Sequence, residues 1–189
     1  GCEITNVCNA NCSFCSYGKD GGDPRKKRKL KMEVLRHTAK LYSEAGGGMF
    51  TLSPILGEVS ADKRWLEMVQ EICSYPNITG VSCYSNAILL NRFGSKNILT
   101  SGIKVMNIST ALGSAEMYSR LYGVDKYDIV VENMLDLLET NNELGRPVDL
   151  TLQLRIDKPF SLFFDSPLYS ELLRHIEPSR ILILDDAWD

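Results

Sequence analysis

One short stretch of the chain limits its architecture more than any other. From Val148 to Ile156 the residues Leu150, Leu152, Leu154 and Ile156 alternate with Thr151, Gln153 and Arg155. Successive side chains of a strand point to opposite faces, so this segment has one apolar face and one polar face. Phe50 and Leu52 stand against Thr51 and Ser53 in the same way, and Met106 and Ile108 against Asn107 and Ser109. Between such strands the apolar period lengthens to that of helices: Val34, Leu35, Thr38, Leu41, Tyr42 and Ala45; Trp65, Leu66, Val69, Ile72 and Cys73; Val131, Met134, Leu135 and Leu138. Further strands are expected over Glu3–Thr5, Gly80–Tyr84 and Arg180–Leu184, with a weaker helix over Ile88–Leu99 and a last one over Leu168–Ile176. Ser114 and Asp128 read as N-caps, and Gly46–Gly48 and Gly145 as helix ends.

Strands joined by helices imply right-handed crossovers and a parallel sheet. A doubly wound sheet buries both faces and needs continuous apolar strands, which only Ile181–Leu184 supplies here. With helices on the apolar face, the polar face must line a lumen wide enough for polar ligands. Eight strands with their helices take about 250 residues. Six strands in 189 therefore predict an α/β fold, an open partial (β/α)6 TIM-type barrel with parallel strands.

The length points to one domain, residues 1–189, with a core of its own. A composition of 44% hydrophobic and 24% charged residues excludes disorder and fibrous structure, and a net charge of -3 gives no general attraction for nucleic acid or an anionic membrane. No apolar run reaches the roughly 18 residues of a spanning helix, and the chain reads as cytoplasmic unless a leader has been removed. Its ends, Gly1 against an apolar pattern and Asp185–Asp189 after a strand, suggest a segment of a longer protein.

Of six cysteines, four crowd into the first fifteen residues, and Cys8, Cys12 and Cys15 lie within eight residues on the loop after the first expected strand. Barrel enzymes place their chemistry at that end of the strands. Three thiolates can hold three irons of a four-iron cluster and leave the fourth open, whereas structural zinc takes four closed ligands. Cys2 or His37 could complete a zinc site in principle. Cys73 and Cys83 read as small buried apolar side chains.

The CxxxCxxC spacing, with Phe14 before the last cysteine, resembles the radical S-adenosylmethionine (radical SAM) superfamily. The likeness runs along the chain. Glu3–Val7 resembles the strand entering the cysteine loop, Leu56-Gly57-Glu58 the family's Gly-Gly-Glu motif, and Ser85-Asn86 its Thr-Asn. Asn107-Ile108-Ser109, Leu154-Arg155 and Asp186-Ala187-Trp188-Asp189 look most like members with a C-terminal SPASM or twitch-type cluster domain, which this chain does not include. Leu56 and Val59 depart from the pattern, where the family has Gly and Pro.

The resemblance implies a 4Fe–4S cluster on Cys8, Cys12 and Cys15 that reductively cleaves S-adenosylmethionine to a 5'-deoxyadenosyl radical, which abstracts hydrogen from a substrate. It places Phe14 near the adenine, gives the methionine ammonium to Glu58 and the ribose or carboxylate to Ser109 and Arg155, and adds Asn86 as a further cofactor-binding candidate. A SPASM-like member acts on a peptide or a carbohydrate-type small molecule, by oxidation, epimerisation or crosslinking. Two other functions compete, a non-enzymatic iron–sulfur electron carrier and a zinc-binding interaction module. Simpler readings also exist for single residues. Glu58 can merely precede a helix start, and Arg155 can pair with Asp157 or Asp185. His37, His175 and Trp65 read as surface or packing residues.

The basic run Arg25–Lys31 is the one sharp charge feature. It is either a solvated loop or a docking patch for an acidic flavodoxin or ferredoxin. No aromatic residues interleave it, which disfavours nucleic acid.

Overall fold

The computed structural model describes residues 1–15, 27–52, 55, 57–156 and 158–184. Five strands form one sheet in chain order: β1 (Gly48–Leu52), β2 (Ile78–Ser85), β3 (Ile103–Thr110), β4 (Asp149–Leu154) and β5 (Ile181–Ile183). Every neighbouring pair is parallel. The helices α1 (Met32–Glu44), α2 (Trp65–Cys73), α3 (Ser95–Leu99), α4 (Ala115–Tyr122), α5 (Tyr127–Glu143), α6 (Ser161–Phe164) and α7 (Pro167–Leu172) lie before and between the strands. The sheet keeps two edges, β1 and β5, so the barrel is open as the strand patterns predict.

Among the described residues the strand count is five rather than six. In the expected first strand, Glu3–Thr5, only Thr5 forms a bridge, and it is antiparallel, to Lys29. One bond ties this run to β1, from the Cys2 amide to the Thr51 carbonyl at 2.9 Å. The basic segment pairs with the same run: the Leu30 amide donates to the Ile4 carbonyl and the Asn6 amide to the Arg28 carbonyl.

Alternation sorts the side chains as the sequence requires. Phe50, Leu52, Met106, Ile108, Leu150, Leu152 and Leu154 are all buried beneath the helices. The helices supply matching stripes, Leu35 and Ala39 on α1, Trp65, Met68, Val69 and Ile72 on α2, and Val130, Met134, Leu137 and Leu138 on α5. On the lumen face the polar groups meet one another. Ser82 donates to the Thr51 hydroxyl at 3.0 Å, and Gln153 to the Asn107 side-chain carbonyl at 3.4 Å.

Ser114 caps α4 by accepting the Met117 amide. Asp128 is not a cap: α5 starts at Tyr127, and Asp128 lies in its first turn, where a carboxylate suits the helix dipole. The segment from Ile88 to Leu99 divides at Gly94, whose φ of 77° no continuous helix accepts, into a short 3₁₀ turn and α3. Among the described residues no helix is long and apolar enough to cross a membrane.

Candidate active site at the C-terminal rim

The cysteine loop sits beyond the C-terminal ends of the strands, and a helix holds it there. The amides of Asn11 and Ser13 donate to the Tyr122 and Leu121 carbonyls, at 2.9 and 2.8 Å. These carbonyls end α4, so the loop satisfies groups that a helix terminus leaves free. Gly123 makes the approach possible: at φ 65° it turns the chain away, and a Cβ there would overlap the Asn11 carbonyl oxygen. Within the loop, the Cys15 amide closes a turn onto the Cys12 carbonyl at 3.1 Å. Cys8 is exposed, while Cys12 and Cys15 are half-buried. Burial, and after it the neighbouring Cys8 and Cys15 thiols, push Cys12 up to about 12 against the pull of Arg155.

Glu58 stands at the centre of a second set of contacts. Its side chain, only 4% exposed, accepts from the Ser60 amide at 3.2 Å, the Ser60 hydroxyl at 2.7 Å, the Ser85 hydroxyl at 2.7 Å and the Asn86 amide at 2.8 Å. Three of these bonds fall on Oε1 and one on Oε2, which leaves Oε2 a free lone pair. Glu58 thus caps the 3₁₀ turn Val59–Ala61, the structural role open to it from sequence, and also ties that turn to the end of β2. No cation among the described residues pairs with it. Burial raises its pKa above the ordinary carboxyl value, partly offset by those four donors. Gly57 before it has φ 90°, and a Cβ there would overlap the Thr5 carbonyl oxygen, so only glycine lets Glu58 come this close to the strand entering the cysteine loop. The Glu58 amide donates to the Val7 carbonyl at 2.8 Å, next to Cys8.

Asn86 joins the two sets. Its side-chain amide donates to Asn9, inside the cysteine loop, at 2.7 Å, and its carbonyl oxygen accepts the Ile88 amide at 3.1 Å. On the other side of the loop Arg155 donates to the Ser109 hydroxyl at 3.3 Å, and its guanidinium lies 3.8 Å above the Phe14 ring. Phe14 also meets the Tyr122 ring edge-on at 5.4 Å. Asp157 and Asp185, the alternative partners of Arg155, lie outside the described residues, as does Arg25–Lys26 of the basic run.

The eight residues singled out from sequence therefore occupy one rim. Sequence reasoning missed the wall behind them: Tyr118 and Tyr122 of α4 and the Gly123 that ends it, with Ser60 and Asn9. The i, i+4 tyrosines and the glycine ending an apolar helix were visible, but such a pattern marks any buried helix face.

Several buried polar hydrogens around the rim have no partner, namely those of Asn9 Nδ2, Arg155 Nε and the Tyr118 and Tyr122 hydroxyls. Buried donors without acceptors are rare and costly, so this concentration fits a group rich in acceptors. Among the described residues no three His, Cys, Asp or Glu side chains form a group set to hold a metal ion. His37, a possible zinc ligand, is exposed on α1, and Cys2 lies beside β1.

An open α/β barrel with three cysteines on a rim loop defines a class of proteins that hold a metal cluster and a small cofactor at the mouth of a polar lumen. Residues 2–152 match the model of the radical SAM superfamily, and the chain belongs to that family. Its members are enzymes that use a 4Fe–4S cluster and S-adenosylmethionine. Among curated relatives, the GTP 3',8-cyclase of Pasteurella multocida (strain Pm70) is 25% identical over 135 residues, 70% of this chain and 38% of that protein. The chain thus spans well under half the length of that relative. Among solved structures, native anSMEcpe with bound AdoMet superposes with a TM-score of 0.66 at 18% identity, covering 95% of this chain and 50% of that one. Streptococcus suis SuiB bound to S-adenosylmethionine gives 0.65 at 14% identity, covering 92% and 37%.

Proposed function

We propose that this chain is the core of an enzyme in which Cys8, Cys12 and Cys15 each hold one iron of the cluster and the surrounding rim binds S-adenosylmethionine. When bound, cluster and cofactor supply one-electron chemistry that ends in hydrogen abstraction from a substrate. Everything else falls to the residues of the chain. The observation that carries this reading is the meeting of the cysteine loop, Glu58 and the Ser109–Arg155 pair on one rim, from elements far apart in sequence. Glu58 is a buried carboxyl without a counter-charge and with one free lone pair, and the methionine ammonium would supply that charge. Arg155 and Ser109 offer donors to the carboxylate or ribose. Phe14 lies under Arg155 and is half-buried, and its ring would take the adenine. Asn86 acts through Asn9, fixing the cysteine loop against the end of β2.

For the substrate, the lumen supports a peptide or a hydroxyl-rich small molecule. Between Asp149, ion-paired with Arg180 at the N-terminal end, and Arg155 at the rim, the described lumen positions of β1 to β4 carry no charged side chain. SuiB has been solved with its precursor peptide SuiA. A triphosphate like that of GTP needs cations, so GTP is the discriminating ligand: weak or absent binding favours the uncharged substrate, and tight binding favours a cyclase like the curated relatives.

The basic segment fits a reductant dock. Arg28 pairs through its backbone with Asn6, two residues before Cys8, and Lys27 and Arg28 are exposed. An acidic flavodoxin or ferredoxin seated there would lie beside the cluster loop.

Anaerobic reconstitution followed by assay for 5'-deoxyadenosine tests the reading. The enzyme makes it; an electron carrier forms a cluster but no 5'-deoxyadenosine, and a zinc module forms neither.

A further inference from the structure

The α4 tyrosines are not accounted for by the cofactor contacts above. Tyr122 is 2% exposed, and its hydroxyl is one of the buried polar groups without a hydrogen bond. The ring is held on three sides: stacked on Tyr118 at 4.9 Å with the planes 2° apart, edge-on to Phe14 at 5.4 Å, and anchored by its own carbonyl to the Asn11 amide. The hydroxyl lies beside Ser109 and Arg155. Arg155 in turn has one guanidinium nitrogen on Ser109 and its Nε unpaired. Three donors of different chemistry thus face one corner of the rim: the Tyr122 hydroxyl touches Ser109 and Arg155 without a well-formed hydrogen bond to either, and Arg155 Nε has none. A rigid aromatic carrying a buried, unsatisfied hydroxyl lowers stability unless an acceptor arrives.

We propose that the Tyr122 hydroxyl is a further cofactor-binding group, the third donor of the Ser109–Arg155 corner, and that it holds the carboxylate of S-adenosylmethionine. This rests on the reading above that the corner takes that carboxylate. The phenol cannot lose its place when the corner is empty, because stacking and the helix end fix it. The corner is thereby preorganised, and no side-chain freedom is lost on binding.

Tyr122→Phe removes the hydroxyl and keeps the ring. In reconstituted full-length protein, cofactor titration followed by the cluster's spin-resonance spectrum should show about tenfold weaker binding of S-adenosylmethionine, as expected for a lost hydrogen bond to a charged group. Binding of decarboxylated S-adenosylmethionine should be unchanged, and iron content should match the wild type. Without cofactor, the variant's Tm should equal or exceed that of the wild type, and the rise in Tm on adding cofactor should be smaller. Unchanged affinity for S-adenosylmethionine, or an equal loss for both forms of the cofactor, would overturn the proposal. Arg155→Met is measured alongside. If it weakens binding while Tyr122→Phe does not, only the Tyr122 proposal fails; if neither does, the carboxylate corner itself is wrong.

Discussion

A buried carboxyl surrounded by four donors and no cation leaves a signature in both stability and binding. Because burial raises the pKa of Glu58 above the ordinary 4.5, the folded protein holds that proton to higher pH than the unfolded chain does. Its stabilising contribution is then complete below the unfolded-state value and lost as pH rises through the folded-state value. Denaturant midpoints of the cofactor-free protein should therefore decline as pH rises above the ordinary carboxyl range, less steeply in Glu58→Gln than in the wild type. Parallel slopes would show that the carboxyl is not under this strain. With cofactor, Glu58→Gln and Arg155→Met should each weaken S-adenosylmethionine binding about tenfold to a hundredfold at unchanged iron content, since charge-assisted bonds of this kind contribute about 1.5 to 3 kcal/mol. The cysteines divide more sharply. Serine at 8, 12 or 15 should abolish the visible absorption of the reconstituted cluster, whereas serine at Cys73 or Cys83 should keep it, because Cys83 is buried behind the sheet and the Cys73 thiol meets the Gly102 carbonyl. Loss of absorption in Cys83→Ser with retention in Cys12→Ser would reverse the ligand assignment.

At the scale of elements, the end of α4 decides where the cysteine loop sits. Two backbone bonds from the loop land on Leu121 and Tyr122, and Gly123 permits the contact. Gly123→Ala should cost about 1 to 3 kcal/mol through its left-handed conformation, with overlap onto Asn11 in addition. The iron and sulfide retained per chain should fall with it. Full cluster content at an unchanged Tm would mean that the loop is seated by other contacts. The sequence marked α4 only through its Ser114 cap, because capping is local chemistry, while the docking of a helix end onto a loop more than a hundred residues away leaves no local trace. The expected first strand failed for a related reason. Ile4 and its neighbours have strand chemistry, but which partner claims their amides depends on where Arg28 to Leu30 passes.

The described part of the molecule is a row of parallel βα units with a polar lumen and the cysteine loop at one end. Its basic segment is partly committed, since Lys29 reaches the buried carboxylate of Asp62 at 3.7 Å, which Arg64 also grips at 2.8 Å. A docking test should thus spare Lys29. Reversing Lys26, Lys27 and Arg28 to Glu should slow turnover driven by flavodoxin and weaken its salt dependence, with turnover driven by dithionite untouched. Equal losses with both reductants would point to damage at the site instead of a lost dock.

The sequence by itself determined the class of fold, because a two-residue period with one polar face admits few sheets, and it marked the cysteine loop, because eight contiguous residues carry Cys8, Cys12 and Cys15. It also named Glu58, Asn86, Ser109 and Arg155, through short motifs at strand ends. Tertiary structure alone decided how these groups meet: that Glu58 spends most of its lone pairs on the turn and strand beside it, that Arg155 rests on Phe14, and that two tyrosines complete the wall. Period and motif are properties of neighbouring residues. The burial and unmet hydrogen-bonding capacity of a side chain depend on segments that come together only when the sheet has formed.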